Sequence, residues 1–118
     1  MYKIRFSGLV DIHMGSPYNI ADIHVIGGYF PENVSDEAFQ DRCAVSIDGQ
    51  TCFVVVWDRP NNDPGFRVWK VSNQDRSVKK SDRISGCCQE VSLSGDGVSV
   101  VVWEYEKPLR TETVTDFK

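Results

Sequence analysis

The chain has 118 residues, of which 41% are hydrophobic and 25% are charged, and its formal net charge is −4. This composition argues against disorder and fits one globular domain over 1–118 that can bury a core. The acidic balance argues against a nucleic-acid or anionic-membrane surface. No apolar run approaches the ~18 residues of a membrane span, and the alternating N-terminus is unlike a signal peptide, so we expect a cytoplasmic protein.

Three segments near the N-terminus alternate apolar and polar residues, which is the pattern of half-buried strands. Their apolar positions are Tyr2, Ile4 and Phe6, then Val10, Ile12 and Met14, then Ala21, Ile23 and Val25. Loop-forming residues occupy 15–19, so we expect the second and third segments to pair as a hairpin. The register that matches apolar residues places Val10 opposite Val25, and it extends to Ile12 with Ile23 and Met14 with Ala21.

The polar face of that predicted hairpin would bring two aspartates and two histidines together. Asp11 would face His24, and His13 would face Asp22. We interpret them as exposed ion pairs, each of which contributes little to stability. A metal site built from the same four side chains remains an open alternative.

One segment has the signals of a helix. Ser35 is a suitable N-cap, the two acidic residues after it suit the positive end of the helix dipole, and Val34 and Phe39 hold hydrophobic-staple positions. The sequence therefore predicts one short helix over 35–41, ending before Cys43.

One motif occurs twice, at 45–58 and at 91–104. The copies align without a gap at a period of 46, and seven of their fourteen positions are identical. Each copy is a short strand, a glycine turn at Asp48-Gly49 or Ser94-Gly95-Asp96-Gly97, and a long apolar strand that ends in Trp and a carboxylate. This pattern predicts two β-hairpins. The strand 52–57 is apolar on both faces, so we expect it to be central and covered on both sides.

Further strands follow the two hairpins. The first copy continues through a polar loop at 58–65, a strand at 66–71, a turn, and a charged edge strand at 77–81. A threonine-rich strand is predicted within 109–117, at an edge. The total is eight to ten short strands and one short helix, so the predicted fold class is all-β.

The 46-residue unit resembles one blade of a β-propeller of the WD40-like or TolB-like kind, with the two copies at 45–58 and 91–104 as partial repeats. The Gly-His dipeptide of WD40 repeats is absent. The chain is also too short for a closed propeller, which takes at least about four blades. We therefore expect antiparallel blade-like sheets or a β-sandwich. Propeller-like units are mostly interaction platforms, so the resemblance implies binding.

The sequence contains no motif of an enzyme or a cofactor site, so we expect a protein that is not an enzyme and needs no cofactor. The four cysteines are Cys43, Cys52, Cys87 and Cys88, and none forms a Cys-x-x-Cys pair. We expect buried structural thiols, with zinc and redox roles as less common alternatives.

The leading functional hypothesis is a small cytoplasmic domain that binds a protein. The predicted contacts are Asp58, Arg59, Asn61, Asn62 and Asp63 in the loop, with Glu32, Asp36 and Glu37 as acidic helpers. In its short, acidic, β-rich layout the chain is similar to bacterial immunity proteins for polymorphic toxins. That similarity implies an inhibitor that occludes the active site of a toxin or enzyme with a basic surface.

A carbohydrate- or small-ligand-binding module is the alternative. It would use Trp69, with Arg67 beside it, and the polar loop. Burial in the core is the commoner role for Trp57, Trp69 and Trp103.

Overall fold

The computed structural model describes residues 1–11 and 18–118, and these residues form two antiparallel β-sheets. The strands are β1 (Lys3–Asp11), β2 (Asn19–Ile26), β3 (Phe39–Val45), β4 (Thr51–Trp57), β5 (Gly65–Ser72), β6 (Ser77–Lys80), β7 (Ile84–Ser85), β8 (Cys87–Ser94), β9 (Gly97–Trp103) and β10 (Arg110–Val114). A short 3-10 turn covers Pro60–Asn62. The predicted all-β class is confirmed. No helix within the two described ranges is long and apolar enough to cross a membrane.

The strand orders run from edge to edge. The larger sheet has seven strands in the order β1-β2-β3-β4-β5-β6, with β7 also paired to β5. The smaller sheet has three strands in the order β10-β9-β8. The described strands therefore form neither a closed barrel nor a propeller.

The central strand β4 is covered on both faces. All residues from Cys52 to Trp57 are buried. One face packs against the smaller sheet, through Phe53, Val55 and Trp57 with Val98, Val100 and Val102. The other face packs under the N-terminal hairpin, where Cys52, Val54 and Val56 form a cluster with Tyr2. Phe39 and Trp69, from the neighbouring strands β3 and β5 of the same sheet, join this cluster. The prediction for this strand is confirmed, and full burial of each large side chain stabilises the fold by about 1.5–3 kcal/mol.

Both hairpins of the repeated motif are confirmed, and they lie in different sheets. β3 and β4 pair across the turn at 46–50, while β8 and β9 pair across the turn between Ser94 and Gly97. Gly49 and Gly95 have φ of +74° and +53°, which glycine adopts at little cost. The edge strand after β5 and the final strand β10 are also confirmed.

The helix predicted over 35–41 is wrong. Residues 35 and 36 form only a turn, and Phe39 begins β3. Phe39 is 3% exposed and sets its ring edge against Trp69, at 5.9 Å between centroids. The next residue, Gln40, is fully buried and bonds to Cys88 in the smaller sheet. A strand directs successive side chains to opposite faces, and a helix does not, so these contacts override the local helix signals.

The register predicted for the N-terminal hairpin is also wrong. Val10 pairs with Ile20, and Val25 pairs with Ile4. Ile23 pairs with Phe6. The segment with Tyr2, Ile4 and Phe6 therefore pairs where the segment with Val10, Ile12 and Met14 was expected. A bulge interrupts the ladder between Ser7 and Val10, where Gly8 has φ of +60°. The predicted partners Ile12, His13 and Met14 lie outside the described residues.

The predicted pairing of the Asp-Ile-His triplets changes accordingly. Asp11 lies opposite Asn19, and His24 lies opposite Arg5 and shares a hydrogen bond of 2.8 Å with the Ser7 hydroxyl. Asp22 lies opposite Ser7. The Asp11–His24 ion pair is therefore absent from the described part of the chain, and His13 lies outside it.

Candidate functional site

The two sheets pack face to face around a shared core cluster, an arrangement that we call the sandwich. The two copies of the motif finish at the same end of it. We call the dipeptides Trp57-Asp58 and Trp103-Glu104, with the loop 58–65, the tryptophan end. A cavity of about 280 Å³ brings Asp63 and Pro64 of that loop beside Trp103 and Glu104. The Gly86 amide donates a hydrogen bond of 2.9 Å to the Pro64 carbonyl and so fixes the loop against the connection between β7 and β8.

The carboxylate after each tryptophan is held by an arginine. The Asp58 carboxylate accepts a hydrogen bond of 3.0 Å from Arg67 on β5. Glu104 accepts one from Arg110 on β10 and another, of 3.2 Å, from Lys107. The Arg110 hydrogen bond holds the pKa of Glu104 below its ordinary value. Both carboxylates thus fix local structure.

Arg83 clamps the loop 58–65 at both of its ends. Its Nε donates to the Asp58 carbonyl at 3.1 Å. Its Nη2 donates to the Asp63 carbonyl at 2.9 Å and to the Asp63 carboxylate at 3.1 Å. The guanidinium crosses directly over Gly65, where a Cβ would lie only 2.3 Å from it. The glycine at 65 therefore allows the clamp to form.

A second arginine supports the loop from the other side. The Arg59 Nη1 donates to the Tyr18 hydroxyl at 2.9 Å, and the guanidinium lies 5.7 Å from the centroid of that ring. The Tyr18 ring in turn packs on Trp57, with 4.5 Å between centroids. The Trp57 Nε1 donates to the Asn19 carbonyl at 2.7 Å. Contacts through Tyr18 and Trp57 therefore connect the start of the loop to the core.

The tip of the loop is exposed and turns tightly. Asn61 and Asn62 have φ of 55° and 61°, a conformation that asparagine tolerates better than most residues. The Asp63 amide closes the turn on the Pro60 carbonyl at 3.0 Å. Of the five predicted loop contacts, Asn61, Asn62 and Asp63 are exposed. Asp58 and Arg59 are half-buried and hold the base of the loop in place. The loop thus combines a fixed base with an exposed polar tip.

A second cleft, also of about 280 Å³, adjoins the base of the loop. It is lined by Glu37, Val56, Trp57, Asp58, Arg67, Trp69 and Lys80. Glu37 therefore lies near the predicted loop residues. Glu32 and Asp36 are exposed on the same connecting segment, but they are not among the described residues that line the cleft.

Trp69 is a core residue. Its side chain is 5% exposed, and the Lys80 ammonium lies 4.5 Å from the ring centroid. Core burial is confirmed for Trp69 and for Trp57, which is 6% exposed, while Trp103 is half-buried. The Trp69 ring is therefore covered where the alternative hypothesis needs a free face for stacking on a ligand.

The cysteines lie in apolar surroundings. Cys52, Cys87 and Cys88 are at most 1% exposed, and Cys43 is half-buried. Burial raises the thiol pKa to about 12 for Cys52 and Cys88 and to about 11 for Cys87. These thiols stay protonated near neutral pH, so they are poor nucleophiles and poor metal ligands. Within the described ranges, no group of three or more His, Cys, Asp or Glu side chains is placed to hold a metal.

Sequence reasoning missed Arg83 and Tyr105 as parts of this end. Tyr105 is 71% exposed and lines the cavity beside Asp63. The repeat contained a signal for it, because Tyr105 follows Glu104 as Arg59 follows Asp58. Arg83 carried no such signal, since its role depends on β7 pairing with β5.

No family model, curated protein or solved structure matches this chain. The resemblances to propeller blades and to immunity proteins therefore remain predictions from the sequence.

Proposed function

We propose that this chain is a small protein-binding domain of the immunity type, which inhibits a toxin or enzyme by placing the loop tip 60–63 over its active site. The arginine clamp on the loop is the observation that carries the proposal. A loop already fixed in one conformation loses little conformational entropy when it binds, so more of the contact energy appears as affinity. The cytoplasm of a bacterium is the setting that we propose.

The chemistry of the tip suits a polar, basic partner surface. Asn61 and Asn62 offer amide donors and acceptors, and Asp63 adds a carboxylate that Arg83 holds in place. The net charge of −4 favours approach to a basic surface. Tyr105 lies beside Asp63, and tyrosine is among the residue types that dominate binding energy at interfaces.

Affinity capture of the tagged protein from its native host, followed by mass spectrometry, tests the proposal. The informative variant is Asn61→Gly/Asn62→Gly, because glycine removes both side chains and keeps the positive φ. Asn33→Gly is the matched control, since Asn33 also has positive φ, at 60°, and lies outside the tryptophan end.

We expect one stoichiometric partner with the wild type and with Asn33→Gly, and loss of that partner with the double variant. The partner should lose its activity when it is mixed with the wild-type protein. The proposal would be contradicted if no partner is captured, or if the double variant captures the same partner as the wild type does.

The alternative, a carbohydrate- or small-ligand-binding module, ranks second because Trp69 is buried and covered by Lys80. The cleft beside Glu37 and Arg67 is the site that it would use. Specific binding to a glycan array, lost in Arg67→Ala, would favour this alternative.

A further inference from the structure

A larger groove lies at the opposite end of the sandwich, between the turns of the two copies of the motif. It has a volume of about 640 Å³ and extends from the turn at 46–50 to the turn at 93–97. We call it the turn-end groove. Because β4 spans seven residues between this end and the loop 58–65, the two surfaces lie roughly 20 Å apart.

Two aliphatic side chains converge on this groove from equivalent positions of the repeat. Ile47 is 94% exposed and Leu93 is 40% exposed, and both line the groove. Phe53 also lines it but is only 3% exposed. Single exposed apolar residues are common on protein surfaces, but two that line the same groove offer a ligand apolar surface from both of its walls. Ile47 gains almost nothing from folding at this position, which leaves its burial free energy available for binding.

The wall formed by the first turn is fixed. The Asp48 carboxylate accepts hydrogen bonds of 2.6 Å from the Ser46 hydroxyl and 3.0 Å from the Gln50 amide. The Ser46 hydrogen bond, with the one from Gln50, holds the pKa of Asp48 below its ordinary value. The Tyr2 amide donates to the Gly49 carbonyl at 3.0 Å and ties the turn to the N-terminal strand.

The two turns that form the walls of the groove each carry a negative charge. Asp48 contributes a carboxylate from one turn, and the exposed Asp96 contributes another from the other turn. Lys70 is the cation of the lining, and its ammonium lies 5.7 Å from the centroid of the Phe117 ring. A ligand that enters between the turns therefore meets an apolar patch flanked by two carboxylates.

We propose that the turn-end groove binds a peptide segment of a partner protein in which a bulky apolar side chain is flanked by lysine or arginine. The apolar side chain packs on Ile47 and Leu93, and the flanking cations pair with the carboxylates of Asp48 and Asp96. Charge complementarity selects this class of segment over an acidic one. The site is separate from the loop 58–65 and does not depend on the proposed function.

Selection from phage-displayed random decapeptides on the immobilised full chain tests this proposal. We expect enriched peptides that place Leu, Ile or Phe next to Lys or Arg. With one such synthetic peptide, the amide NMR signals of Ile47, Leu93 and Asp96 should shift on titration. Ile47→Ser should weaken the affinity of the protein for this peptide about tenfold, as loss of an apolar anchor does at other interfaces.

Three further variants complete the experiment. Leu109→Ser removes another exposed aliphatic side chain, away from the groove, and should leave the peptide affinity unchanged. Asp96→Asn should weaken binding and reduce its salt dependence. Asn61→Gly/Asn62→Gly should leave the peptide affinity unchanged, which separates this site from the loop tip.

Failure to enrich any peptide would overturn the proposal, as would enrichment of acidic peptides or NMR shifts confined to the tryptophan end. Concentration-dependent self-association that Ile47→Ser abolishes would also overturn it, because a second copy of the chain would then occupy the groove.

Discussion

The side-chain amide of Gln40 pairs with the backbone of Cys88, and this contact joins the two sheets. The Gln40 Nε2 donates to the Cys88 carbonyl at 2.6 Å, and the Cys88 amide donates to the Gln40 Oε1 at 3.3 Å. The register of β8 shifts between Cys88 and Glu90, so the amide meets the strand at an irregularity in its ladder. Beside it, the Arg42 Nε donates to the Gln89 carbonyl at 3.0 Å.

Gln40→Leu should be strongly destabilising. Leucine fills a similar volume, but it leaves the amide and carbonyl of Cys88 buried without these partners. Each of these two groups costs about 1–3 kcal/mol, so we expect a loss of about 2–6 kcal/mol in the free energy of unfolding, measured by urea denaturation. Gln89→Leu, at an exposed neighbouring position, should change it by less than about 0.5 kcal/mol. Equal effects of the two substitutions would show that the hydrogen bonds between Gln40 and Cys88 make no specific contribution to stability.

Two glycines of the second hairpin should respond differently to alanine. A Cβ on Gly97 would lie 1.9 Å from the Val114 carbonyl oxygen, so the backbone of β9 or β10 must move. At Gly95 no described atom lies within 4 Å of a Cβ, and only the positive φ opposes the substitution. We expect Gly97→Ala to cost about 3 kcal/mol and Gly95→Ala about 1 kcal/mol in denaturant unfolding. The reverse order would contradict the close contact of β9 with β10.

The parts of the fold that local sequence encodes were predictable. The turns at Asp48-Gly49 and Gly95-Asp96, and the doubly covered strand 52–57, need only turn residues and apolar runs to be recognised. The helix over 35–41 failed because its capping signals are local, whereas Phe39 and Gln40 are placed by contacts with Trp69 and Cys88.

The N-terminal register failed for a different reason. Ile23 pairs with Phe6 instead of Ile12, six residues earlier, and such an even shift keeps apolar residues opposite apolar residues. In the candidate site, the polar loop was recognisable from its composition. The clamp by Arg83 was not, because it joins Arg83 to loop residues that lie 20 and 25 residues earlier in the sequence.

Alkaline pH should destabilise the protein through its buried thiols. Their ordinary pKa is 9.0, and in the folded chain it is raised to about 12 for Cys52 and Cys88. The unfolded state therefore loses these protons first. This contribution to stability is complete below about pH 9 and is lost as the pH rises towards 12, by about 1.4 kcal/mol per thiol at pH 10.

Unfolding free energies at pH 8 and pH 10 test this dependence. Cys52→Ala should show a smaller loss between the two pH values than the wild type does. An identical loss in both proteins would mean that the Cys52 thiol ionises as readily in the folded chain as in the unfolded one.

Removal of the Arg83 clamp should loosen the loop and leave the rest of the fold intact. Arg83→Ala deletes the hydrogen bonds to Asp58 and Asp63, so the Asp63 amide should exchange its hydrogen faster. Because the guanidinium is partly exposed, we expect the global free energy of unfolding to fall by only about 1 kcal/mol. Native-state hydrogen exchange measures both effects. Arg76→Ala, at a distant turn, is the control and should leave Asp63 unchanged.

The most direct test of the proposed inhibitor is a titration of the captured partner's activity against this protein. We predict that inhibition by the wild type is complete near a 1:1 molar ratio. Asn61→Gly/Asn62→Gly should shift the midpoint at least tenfold, as expected when contacts at the centre of an interface are removed. A partner that stays fully active at a molar excess of the wild type, or that both proteins inhibit equally, would contradict inhibition through the loop tip.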